Sequence, residues 1–168
     1  MFGVTSTMDQ ETFRTYILDA VRSVFTQATM AGQELAPVAF VVTKEGVGLL
    51  PVGRFMVSDT AKDALMQVLS ALASDDHTIG IAIVNEIWTA VATKEEVDSD
   101  SLVRPSQRAD KGEAAMVRLE FRGGGVEVWT AVISHDERNT RTLAEFKSHP
   151  IDGGRMAEPL FPQTTLPN

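Results

Sequence analysis

Glu86 stands inside an apolar, β-branched run from Ile79 to Ala92, next to Asn85. A carboxylate placed there is drawn partly out of water. It must find a cation, or it can act as a general acid or base or as an anchor for a ligand. Further along, Arg104, Arg108, Lys111 and Glu113 gather at the end of a polar stretch. Guanidinium and ammonium groups at that density can clamp an anion or meet a partner's acidic surface. Glu86, Arg108 and Glu113 would make a small catalytic site if all three reached one cleft. The plainer alternative is charge pairing, because the first half of the same loop is acidic (Glu95, Glu96, Asp98, Asp100).

Other chemistries find little support. The chain has no cysteine, which removes disulfides, thiolate nucleophiles and cysteine-ligated metals. Asp98-Ser99-Asp100 alternates oxygens as a calcium loop does, but Leu102 takes the next ligand position and no closing glutamate follows. The histidines, His77, His135 and His149, lack metal-ligand spacing. Phosphate loops, dinucleotide fingerprints and the nucleophile elbow are absent. Neither a metal nor a cofactor is therefore expected.

A chain of 168 residues, 43% hydrophobic and 23% charged, suits one domain with a real core. Its net charge of −8 opposes nucleic acid and anionic membrane, so neither is expected as a partner. No segment approaches the roughly 18 apolar residues that span a bilayer. Met1 to Thr12 carries neither the basic cluster nor the apolar run of a signal peptide. The expectation is a cytoplasmic protein, or a virion-associated one in a phage.

The elements that must position these residues follow from periodicity. Phe13, Tyr16, Ile17, Ala20, Val21, Val24, Phe25 and Ala28 form a helical stripe that Ser6, Thr7 or Asp9 can cap and Gly32 can end. Val38 to Thr43 and Val47 to Val52 form a hairpin about Glu45-Gly46, with Pro37 and Pro51 best placed at strand ends or on an edge. Ser58 caps a second helix through Ala61, Leu65, Met66, Val68, Leu69 and Leu72, with Asp59 in its first turn suited to the helix dipole. The strand from Ile79 leads into the long loop 93–113, and Ala114 to Arg122 and Val126 to Ser134 make a second hairpin about Gly123-Gly124-Gly125. Residues 135–148 read as a short helix or irregular cover. Residues 1–149 then form a single α+β domain, and 150–168 a proline-rich C-terminal tail with Leu160 and Phe161 as its anchors. The expected fold is a single antiparallel sheet of about five strands with two helices packed on one face. The expected order is helix-strand-strand-helix-strand-strand-strand. The open face or an edge strand then needs a cover, from the loop, the tail or a second copy.

One internal echo constrains the sheet. Glu86-Ile87-Trp88-Thr89-Ala90-Val91 returns as Glu127-Val128-Trp129-Thr130-Ala131-Val132. A two-residue turn would put Arg118 beside Trp129; a three-residue turn, favoured because it concentrates the apolar area, pairs Arg122 with Val126 and sets Leu119 opposite Trp129. Val117, Leu119, Phe121, Trp129, Ala131 and Ile133 then share one apolar face, and both indoles are expected in the interior.

The strand Asn85-Glu86-Ile87-Trp88, the loop Pro105-Ser106-Gln107-Arg108-Ala109-Asp110-Lys111-Gly112-Glu113 and the valine-rich strand after it are similar to a group of small uncharacterised bacterial and phage α+β proteins. Those proteins carry a Glu-Ala-Trp-like strand motif, and the similarity covers roughly residues 38–135. Ile87 departs from their small residue. The resemblance implies a topology and a prokaryotic or phage setting, with no activity. The functional expectation is a non-catalytic protein–protein interaction or assembly protein of a bacterium or phage, with a protein partner or self-association. Its candidate binding residues are Glu86, Arg104, Arg108, Lys111, Glu113, Leu160 and Phe161. The alternatives are the small enzyme described above and an acidic inhibitor that mimics nucleic acid.

Overall fold

A computed structural model describes residues 8–90, 92–99, 101–151 and 157–163. Helix α1 (Gln10–Met30) begins at Asp9, whose carboxylate accepts the Thr12 amide at 2.7 Å. That satisfies one of the amides a helix start leaves unpaired. The helix ends where Gly32 turns to φ +67°. There the Gly32 amide donates to Thr29 at 3.0 Å and the Gln33 amide to Ala28 at 2.8 Å. This paired closure needs a residue tolerant of positive φ, and glycine supplies it.

Strands β1 (Val38–Thr43) and β2 (Val47–Pro51) follow as a hairpin, then α2 (Asp59–Ala73), started by the Ser58 hydroxyl accepting the Ala61 amide. Next come β3 (Thr78–Thr89), the short α3 (Lys94–Asp98), β4 (Gly112–Phe121), β5 (Val126–His135), β6 (Arg141–Leu143) and β7 (Lys147–His149). The strands form one antiparallel sheet in the order β2-β1-β3-β4-β5-β6, with β7 also paired to β5. Among the described residues, no helix is long and apolar enough to cross a membrane.

The expected α+β class with one antiparallel sheet holds, but the two long helices do not share a face. Phe40, Val42, Ala82, Val84, Val117 and Leu119 pack against Phe13, Ile17, Val21 and Phe25 of α1. The alternate positions Ala39, Val41, Ile81 and Ile83 pack on the other side with Leu65, Leu69 and Ala73 of α2. The cause lies in β1 and β3, which are apolar at both parities, as strands covered on two sides must be. The structure also adds α3 within the long loop, and it forms β6 and β7 where a short helix or irregular cover is expected.

The β4–β5 register differs as well. Val117, not Leu119, stands opposite Trp129, and Leu119 faces Glu127. The shift is two residues, so the parity survives and the expected apolar face still meets α1. The turn is the physical reason: the Gly124 amide donates to the Phe121 carbonyl at 2.9 Å with Gly123 at φ +78°, so Arg122 lies inside the turn instead of opposite Val126. There its amide donates to Ile79 and its guanidinium to the carbonyls of Thr78, Ala73 and Asp75. The indoles divide too: Trp129 is half-buried against the α1 core, whereas Trp88 is 45% exposed at the far end of β3, beyond the helix.

Candidate functional site

The two echoed glutamates hold the two ends of α1. Glu127 receives a forked pair of bonds from Arg14 at 2.6 and 2.7 Å, one from Gln10 at 2.8 Å and one from the Trp129 indole at 2.8 Å. The Arg14 fork holds its carboxyl below the usual carboxylate range despite partial burial. Glu86 accepts the Leu35 amide at 2.7 Å, just past the helix, and Arg141 at 2.6 Å. Arg141 also lies 3.5 Å from Glu113 and stacks over Phe25.

Glu113 in turn bonds His135 at 3.1 Å, and the second nitrogen of that ring faces Asn139 at 2.9 Å. The bond to Glu113, followed by that to Asn139, raises the pKa of His135. Glu86, Glu113, Arg141 and His135 therefore form one chain of alternating charge across β3, β4, β5 and β6. Each carboxylate already faces a cation. Such a chain can hold strands together, and it offers no unpaired base to a substrate.

Arg108 does not join it. It bonds Glu96 at 2.7 Å and Asp110 at 2.7 and 2.8 Å, all within the long loop, so the pairing between loop halves is what forms. Glu96 is held below its usual range first by the Thr93 amide, in a capping box at the start of α3. Lys111 lies 4.3 Å from the Trp88 ring centroid and donates to the Ser106 carbonyl. Arg104 is exposed beside a shallow hollow formed by Leu102, Val103 and Pro105. Among the described residues, no group of three or more His, Asp or Glu side chains is arranged to hold a metal ion.

Leu160 and Phe161 are both 4% exposed and sit in the α2-side core of their own chain. Sequence reasoning passed over what holds them there: Arg118 and Glu120, two polar residues alternating with Val117 and Leu119 on β4. That alternation was the available signal, since an i, i+2 Arg and Glu on one sheet face are placed to pair.

A different surface is open. Thr43 and Gly46 exchange both backbone hydrogen bonds at the hairpin turn. From there, the alternation of an antiparallel ladder turns the amides and carbonyls of Gly48 and Leu50 toward β1. Those of Val47 and Leu49 point away, and among the described residues no strand lies on that side. Val47 and Leu49 are 41% and 59% exposed, on the α1 face with Pro51. Between this edge and the last turns of α1 runs a groove of about 380 Å³, lined by Val24, Ala28, Leu35, Phe40, Leu49 and Pro51, with Glu34 as its one charged residue. The hairpin and its prolines signalled an edge, but the groove depends on where α1 ends.

No family model, curated protein or solved structure matches this chain.

Proposed function

We propose that the protein is a non-catalytic interaction module, an accessory or assembly component in a bacterial or phage setting. On this reading it takes an extended, uncharged segment of a partner protein along β2. The unpaired edge of β2 beside an apolar groove carries the proposal. Outward amides and carbonyls at Val47 and Leu49 supply main-chain bonds to an added strand, while alternate side chains of that strand fill the groove toward α1. The edge carries no charge from Val47 to Gly53, so the commonest protection of such strands is missing, and Pro51 limits added main-chain bonds to the Val47–Leu49 end. Support also comes from the charged clusters, whose carboxylates and guanidiniums are committed to one another.

Selection of displayed random short peptides on the full chain tests this. Selected peptides are expected to alternate apolar residues, to shift the amide resonances of Val47 and Leu49, and to bind Leu49→Lys about tenfold more weakly, or about 1.4 kcal/mol. Peptides whose shifts map to the loop 93–113 or to the α2 face, with unchanged binding to Leu49→Lys, count against it.

A further inference from the structure

Arg118 and Glu120 stand two residues apart on the α2 face of β4, and each is 1% exposed. A buried ion pair of this kind contributes little net stability by itself, because desolvation offsets the attraction. What sets this pair apart is the aim of its other bonds. Glu120 accepts the Leu160 amide at 2.8 Å with one oxygen and the Phe161 amide at 3.1 Å with the other. Arg118 donates to the Glu158 carbonyl at 2.5 Å and to Glu120 at 3.2 Å. Pro159, between them, has no amide hydrogen to satisfy. Leu160 and Phe161 join the core beside α2, and the Arg122 guanidinium lies 4.8 Å from the Phe161 ring centroid. Main-chain groups read by fixed charges, with neighbouring side chains buried, are the means by which a receptor holds an extended peptide. None of these contacts requires the segment to belong to the same chain.

We propose that this face of the sheet is an acceptor site for the segment Glu158-Pro159-Leu160-Phe161, filled by the chain's own copy and able to take the same segment from a second copy of the protein. Two chains that exchange these segments make a dimer by reusing the contacts already described, with no new surface required. The tethered segment competes at high effective concentration, so the unexchanged form dominates in dilute protein and the exchanged dimer grows with concentration.

The test uses a fluorescent peptide of residues 157–163, read by anisotropy against the full chain and against a full-chain Leu160→Asp/Phe161→Asp variant. Saturable binding to the variant is expected, with binding at least tenfold weaker to the unaltered protein, whose site is occupied. A peptide bearing the same two substitutions should not bind. Absence of saturable binding to a variant with a native circular dichroism spectrum overturns the proposal, and so does equal binding to both proteins. If the variant does not fold, amide exchange of the unaltered protein decides. Independent docking requires the Leu160 and Phe161 amides to exchange by local opening, at least tenfold faster than those of β3 and β4. Exchange in step with the strands makes the segment an integral part of the core and refutes an exchangeable one.

Discussion

An imidazole whose two nitrogens both face acceptor oxygens is arranged to keep both protons. His135 has that arrangement between Glu113 and Asn139. Its pKa is raised, first by the bond to Glu113, so its stabilising effect is complete below the unfolded value and is lost as pH rises through the folded one. Proton NMR should place its midpoint above the ordinary value of about 6.5, and Glu113→Gln should bring it back toward that value. Arg141 is the central cation of the same chain. Its replacement by Met leaves Glu86 half-buried with only the Leu35 amide, and should cost about 2 kcal/mol in urea unfolding. Arg108→Met, in the loop, should lower the urea midpoint by clearly less than Arg141→Met does, because Asp110 is largely exposed and Glu96 keeps the Thr93 amide. The need of Glu86 for a cation was legible in the strand around it. The identity of that cation was not, because Arg141 lies 55 residues away in a stretch without periodicity.

The contact between α1 and the sheet rests on a missing side chain at the scale of single elements. Gly80 lies under Phe13, and a Cβ at that position would overlap the ring. Gly80→Ala should therefore cost about 2 kcal/mol, read as a lower urea midpoint with an unchanged slope, since neither the helix nor the strand is otherwise altered. Helix identity was legible because the α1 stripe, the Gly32 stop and the Ser58 cap are local signals. The face each helix takes was not. β1 and β3 are apolar at both parities, so periodicity alone permits a helix on either side. The register of the second hairpin was hidden because Gly123, Gly124 and Gly125 all tolerate positive φ, so the sequence does not say which of them closes the turn; it closes at Phe121–Gly124, with Gly123 at φ +78°.

The whole molecule presents a sheet with a helix on each side and two contrasting boundaries. On the α2 side, a segment of its own chain is seated over β4. On the α1 side, the β2 edge and the groove beside it remain open among the described residues. The charged loop, prominent in the sequence, is closed on itself by Arg108, and the Trp88 end of the sheet carries Lys111. The open edge is where the proposed partner strand would add, and backbone amide exchange with and without a selected peptide tests that addition most directly. In the free protein, Gly48 and Leu50 should be protected and Val47 and Leu49 should exchange rapidly; on binding, Val47 and Leu49 should slow by at least tenfold. Slow exchange at Val47 and Leu49 in the free protein, or protection gained elsewhere while they remain fast, would contradict strand addition at β2.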